Sequence, residues 1–126
     1  MFTLESIDQC AVNISSYAEL AGNMRRIGMH SYTVDVASQA KVYRSLDGEL
    51  LQVAGTKGAT PVTAPFSSEA VTAAIRRSQR GETDYPTFMQ EIHAAGVRRY
   101  EAIIAGPRPR VIYFGAEGFL EEPIPL

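Results

Sequence analysis

The sequence predicts an α+β fold in which a helix–helix–strand–strand unit, with a possible third strand, is used twice. Three observations predict it. The run Asp84–Tyr100, DYPTFMQEIHAAGVRRY, carries a helical stripe, a glycine stop and the alternating start of a strand. The run Ser16–Tyr32, SYAELAGNMRRIGMHSY, has the same grammar, with Tyr17, Gly28 and Tyr32 each 68 residues before Tyr85, Gly96 and Tyr100. After each run come further short alternating segments broken by turn residues. One half has too little helix and sheet to bury its apolar faces alone. Two halves about a pseudo-twofold axis, with the helices on one face of a mostly antiparallel sheet, share one core. The expected organisation is a single domain over 1–126, with a first repeat at 3–53, a linker at 54–66 and a second repeat at 67–122.

Thr3 caps a first short helix, TLESIDQCAV, in which Leu4, Ile7, Cys10 and Ala11 share a face, and Asn13 supplies a left-handed stop. Ser16 to Glu19 reads as a capping box opening the second helix, whose stripe is Tyr17, Leu20, Met24 and Ile27. Arg25 and Arg26 suit its carbonyl end, and Gly28 closes it. Tyr32, Val34 and Val36 alternate with Ser31, Thr33 and Asp35 as a strand. Ala37–Gln39 turns the chain into a strand over Lys41–Leu46, Asp47–Gly48 signals a hairpin, and Leu50–Val53 gives the third strand. The connecting loop AGTKGATPVTAP has no period. Its Lys57 precedes Gly58, which is the wrong spacing for a phosphate-binding loop.

In the second half Ser67 caps a helix that runs to Arg80, with Phe66 and Val71 as a hydrophobic staple and Gly81 as the stop. Thr83 or Asp84 caps the next, whose stripe is Tyr85, Phe88, Ile92 and Ala95, with Pro86 harmless in its first turn. Tyr100, Ala102 and Ile104 then answer Tyr32, Val34 and Val36. Gly106–Pro109 makes a turn two residues longer than its counterpart, so that Tyr113 answers Tyr43, Gly118 answers Gly48 and Leu120 answers Leu50. The segment Glu121–Pro125 reads as a solvated, proline-stopped edge.

The pattern between Arg76 and Tyr113, IRRSQRGETDYPTFMQEIHAAGVRRY with the VIYFGAEG hairpin, resembles the YbcV-like family of small bacterial and prophage proteins. That family is a domain of unknown function, some of whose members are labelled phage envelope proteins. The resemblance is strongest at Gly81, Tyr85, Phe88, Ala95–Gly96, Tyr100, Tyr113 and Gly118, and weakest between Ala37 and Pro65. It covers nearly the whole chain. It implies a duplicated α+β fold and transfers no catalytic residue.

Composition narrows the chemistry. The chain has 126 residues, 45% apolar and 21% charged, with a formal net charge of −2, which argues against nucleic acid and acidic membranes as partners. No basic region followed by an apolar run opens the sequence, and no stretch approaches the roughly 20 apolar residues of a membrane span, so the expected location is cytoplasmic. Cys10 stands alone and reads as a buried thiol. His30 and His93 are not equivalent under the repeat and make no metal signature, so no metal or other cofactor is expected. The arginines at 76, 77, 80, 98, 99, 108 and 110 are interleaved with acids and read as a mixed surface.

Two functional readings follow. The first is a non-enzymatic interaction protein that offers its edge strands and polar sheet face to a protein partner or, as a homodimer, to a second copy. The alternative is a small-ligand binder or enzyme that uses a cleft between the halves. Its candidate residues are Tyr32, Tyr43, Tyr100 and Tyr113, with Asp35 and arginines converging on them.

Overall fold

The structure, a computed structural model, describes residues 2–56 and 58–126; Lys57, and with it the spacing considered for a phosphate loop, lies outside the described residues. Each half has two helices and three strands. In the first half these are α1 (Leu4–Cys10), α2 (Tyr17–Arg26), β1 (Met29–Asp35), β2 (Lys41–Ser45) and β3 (Leu50–Val53). In the second they are α3 (Ser68–Gln79), α4 (Tyr85–Ala94), β4 (Arg99–Ile103), β5 (Arg110–Phe114) and β6 (Phe119–Pro123).

The strands form one antiparallel sheet in the order β3-β2-β1-β4-β5-β6. The two halves meet where β1 pairs with β4, and Thr33 stands opposite Glu101 at the centre of that pairing. On one face the alternating residues Tyr32, Val34, Tyr43, Tyr100, Ala102 and Tyr113 are buried. They join Met24 of α2, Ile75 of α3 and Ile92 of α4 in one core. The helices therefore cover that face, and Asp35, Arg44 and Arg99 on the other stay exposed. The α+β class with a helix-covered antiparallel sheet is what the alternation and the stripes predict.

Local chemistry sets the element ends. Thr3 and Ser6 form a reciprocal capping box at α1, and Asn13 takes the left-handed conformation (φ 56) after it. Ser16, Ser67 and Asp84 each accept a backbone N–H as the caps of α2, α3 and α4. The capping box expected at Ser16 is only half made: the Glu19 carboxylate reaches past Ser16 to accept from the backbone N–H and hydroxyl of Ser15. Glu82 does not cap α4 but pairs with Arg80. Both second-half helices end in a six-to-one bond across a left-handed glycine, Glu82 N–H to Arg77 O over Gly81 and Val97 N–H to Ile92 O over Gly96.

Register bears out one sequence expectation and corrects another. The longer turn between β4 and β5 is real: Ala102 faces Val111 where Val34 faces Lys41. The following hairpin is one residue shorter than its counterpart, because Leu120 pairs with Tyr113 as Leu51, not Leu50, pairs with Tyr43. The final segment is not merely a solvated edge. Ile124 is buried, and its N–H bonds to Pro109 O. An apolar side chain there gains more from the core than from solvent, by about 1.5–3 kcal/mol. No helix among the described residues is long and apolar enough to cross a membrane.

Candidate functional site

The helix pairs leave a cleft between them over the sheet. Residues of α1 and α2 (Ile7, Leu20 and Met24) form one wall, and Ile75 of α3 and Phe88 of α4 face them. The cavity has a volume of about 780 Å³ and is lined by all six tyrosines of the chain. That size lies within the roughly 300–1,000 Å³ of small-molecule sites.

The tyrosines are placed by two different rules. Tyr32, Tyr43, Tyr100 and Tyr113 lie on alternate strand positions, so pleating puts all four rings on the covered face. Their centroids run 5.7 Å from Tyr43 to Tyr32, 6.3 Å from Tyr32 to Tyr100 and 5.6 Å from Tyr100 to Tyr113, the central pair edge to face. Tyr17 and Tyr85 sit at the first positions of α2 and α4, above that row. Tyr17 Oη lies 2.5 Å from Tyr32 Oη, and Tyr85 Oη lies 2.9 Å from Tyr100 Oη. Each half thus ties a helix start to a strand through two phenols 15 residues apart.

These phenols are held neutral. Burial pushes the pKa of Tyr32 and Tyr100 well above the ordinary value, and the neighbouring phenols reinforce it. Burial also raises Tyr17, Tyr85 and Tyr113, and lifts Tyr43 to about 12. Tyr17 and Tyr85 keep 39% and 46% of their surface open, yet their hydroxyl ends reach the buried row, which is where desolvation acts. The phenols therefore offer neutral hydrogen-bond donors and acceptors rather than phenolate nucleophiles or bases.

Charge enters the covered face at two strand positions, Lys41 and Glu122, which also line the cavity. They occupy swapped places: Lys41 faces Val53 in the first half, and Val111 faces Glu122 in the second. Lys41 Nζ lies 5.3 Å from the Tyr85 ring centre, a cation–π contact that reaches across the halves. Glu122 accepts from Arg76 Nη1 at 2.9 and 3.1 Å.

Of the residues singled out from sequence, Tyr32, Tyr43, Tyr100 and Tyr113 come together. Asp35 does not join them. It lies at the end of β1, exposed, and its carboxylate accepts from the Ser38 N–H and hydroxyl to close the β1–β2 turn. The arginines do not converge either. Arg77 pairs with Glu91, Arg110 with Glu121, and Arg99 stacks on Phe114 at 4.0 Å on the open face. Tyr17, Tyr85, Lys41 and Glu122 were missed as site residues, though the signal existed. Lys41 shares strand parity with Tyr43, and Glu122 with Leu120, so each belongs to the covered face.

The remaining candidate groups lie apart from this cluster. Cys10 is buried, desolvation raises its thiol pKa, and its Sγ donates to Ser6 O. His93 contacts Thr60 O and His30 contacts Ser31 Oγ. No cluster of metal-ligating side chains occurs among the described residues.

The arrangement coincides with a known sequence family. A family model described as a protein of unknown function, DUF1398, matches residues 7–120. The chain belongs to the DUF1398 family. No curated protein matches the chain. All six tyrosines fall inside the span matched to DUF1398, whereas the cavity wall formed by Glu122 to Pro125 lies beyond it.

Proposed function

We propose that this DUF1398 protein binds a small molecule in the tyrosine-lined cavity between its helix pairs. The observation that carries the reading is the cavity itself: about 780 Å³, floored by four buried tyrosine rings and walled by both halves. A packed core closes such a space, because each void forfeits dispersion contacts and destabilises the fold. The matching order of elements, and the tyrosine pairs at equal spacing, support reading the chain as a duplicated unit whose ligand sits at the pseudo-twofold junction. The resemblance to YbcV-like proteins extends the proposal to a cytoplasmic protein of bacterial or prophage origin.

Native mass spectrometry on protein purified gently from its own host tests the reading. The expected result is a discrete extra mass, retained at low activation energy and lost when the protein is denatured. A bare protein that also fails to retain any member of a broad metabolite library would sink it.

A second reading, the interaction protein, draws on the uncovered sheet face. Phe119 on the edge strand β6 is 63% exposed and Leu50 on the edge strand β3 is 48% exposed. Unpaired edges and exposed apolar side chains of this kind suit a protein partner or a second copy. A dimer in the same native spectrum that is lost in Leu50→Glu and Phe119→Glu supports that use of the open face. A strict monomer at high concentration argues against the homodimer.

A further inference from the structure

We infer that the ligand of this cavity is an elongated and largely apolar molecule with a hydrogen-bonding oxygen toward each end, gripped by the hydroxyls of Tyr43 and Tyr113. The inference rests on the small-molecule reading above and adds the chemical class.

The six phenols are not equivalent. Four of them satisfy one another, as the pairs Tyr17–Tyr32 and Tyr85–Tyr100. The Tyr43 and Tyr113 hydroxyls have no protein hydrogen-bond partner among the described residues and line the cavity, and their oxygens are open enough for water to reach them. A ligand that displaces this water has to replace its hydrogen bond, because a hydroxyl covered and left unmet is costly. The two unmet hydroxyls occupy matching positions, Tyr43 opposite Tyr32 and Tyr113 opposite Tyr100. Their strands, β2 and β5, stand three strand spacings apart, roughly 14 Å. A molecule that meets both hydroxyls is therefore long and carries an oxygen near each end.

Between those ends the floor is aromatic, and the walls are aliphatic or aromatic at Leu20, Met24, Ile75 and Phe88. A flat apolar body fits between such surfaces. Charge is sparse along this lining. Glu122 is matched by Arg76, Asp8 is exposed on α1, and Lys41 lies against the Tyr85 ring with no ion pair among the described residues.

Dihydroxybiphenyl, with hydroxyls at its two far ends, is the probe. Unsubstituted biphenyl and the matching biphenyl disulfonate are its controls. Binding is read by calorimetry and located by the ring resonances of isotope-labelled tyrosine. The diol is expected to bind more tightly than biphenyl and to shift the resonances of the row. Tyr43→Phe and Tyr113→Phe should each weaken the diol about three- to tenfold while leaving biphenyl unchanged. Both variants should keep the parent melting temperature, because no protein hydrogen bond is lost. A drop in melting would show a protein partner for the hydroxyl and overturn the inference. Equal affinity for diol and biphenyl would overturn the role of the hydroxyls, since water alone would then serve them. Tighter binding of the disulfonate at the same resonances would show that charge outweighs the two hydroxyls, and would overturn the inference while leaving the cavity reading standing. If none of the three molecules moves a tyrosine resonance, this inference falls, and the cavity reading is then decided by the native mass spectrum alone.

Discussion

Gly28 and Gly96 end equivalent helices with nearly the same backbone, φ +84 and +88, yet their surroundings differ completely. A side chain at Gly28 would meet nothing within 4 Å, whereas a Cβ at Gly96 would lie 2.4 Å from Pro65 O. The loop that joins the halves folds back onto the second one: Phe66 packs where Cβ atoms at Gly115 and Gly118 would stand, and Ser67 N–H bonds to Ala95 O. All four ion pairs among the described residues also lie in the second half. Two halves with the same elements in the same order are thus held differently. The second is clamped by the end of the loop and by charge; the first holds the start of the same loop, where the Thr56 N–H and hydroxyl bond to Ser38 O, and otherwise rests on apolar packing plus a few polar ties such as Asn23 to Cys10 O. The wall of the cavity formed by α1 and α2 is, on this account, the more yielding one.

The largest expected effect is one that erases the difference. Tyr32 and Tyr100 hold their protons far above the ordinary phenol range in the folded chain. The unfolded chain loses those protons near pH about 10. Folded phenols with raised pKa therefore contribute stability that is complete below about pH 10 and is lost as pH rises through the folded values. Each unit of separation amounts to about 1.4 kcal/mol per group. Urea midpoints should be flat from neutral pH to about 9.5 and should fall steeply above about 10. Because one such tyrosine lies in each half, the loss should appear as a single transition. A midpoint that stays flat above that pH would contradict the burial of these hydroxyls, and two separated transitions would show halves that unfold independently.

The glycines sharpen the comparison directly. Gly28→Ala should cost only the left-handed penalty, about 1–2 kcal/mol. Gly96→Ala adds the collision with Pro65 O, which is backbone and cannot rotate away, for a total of about 3–5 kcal/mol. Equal losses in denaturant melts would mean that the loop does not seat on the second half. Next come Ile92 and Met24, which hold matching places on α4 and α2 and are 0% and 5% exposed. Ile92→Ala should cost about 3–5 kcal/mol and Met24→Ala about 2–3 kcal/mol. Met24 already borders open space and gives up fewer contacts. A reversed order would place the denser packing in the first half.

Much of this was legible in the sequence, for a physical reason. Helix stripes, caps and strand alternation are short-range, so the elements and the covered face could be read from residues such as Ser16, Asp84 and the Tyr32–Val34 pair. The tyrosine row follows from strand parity alone. What could not be read depends on distant chain segments meeting. Nothing near Gly96 announces that Pro65 will lie against it. Asp35 is the opposite case: Ser38, three residues on, satisfies its carboxylate in a local turn of a kind that sequence can show. Tyr17, Leu20, Tyr85 and Phe88 were placed on buried stripes, yet none of the four is fully buried. The stripes are correct, but they face a cleft instead of one another, and the width of that cleft is set by how the helix pairs sit on the sheet.

The smallest effect concerns the charge that the second half places on the covered face. Glu122 occupies the position that Val53 holds in the first half, and Arg76 meets both its oxygens. The side chains are 46% exposed for Arg76 and 16% for Glu122, so solvent screens the pair and its net contribution is small. Glu122→Gln should therefore lower the urea midpoint only slightly at low ionic strength, with the difference shrinking toward zero near about 1 M salt as screening removes the Coulomb part. The same substitution should be more visible at a neighbour. Burial is the main reason that the Tyr113 phenol is raised, and the Glu122 charge adds to it. Removing that charge should let Tyr113 ionise at lower pH while Tyr43, at the other end of the tyrosine row, stays where it was. Labelled-tyrosine titration separates the two resonances. An unchanged Tyr113 would mean that Glu122 is screened from the cavity and belongs to the clamp alone, whereas a shift confined to Tyr113 would place the carboxylate on the cavity side, where a ligand approaching that hydroxyl meets its field.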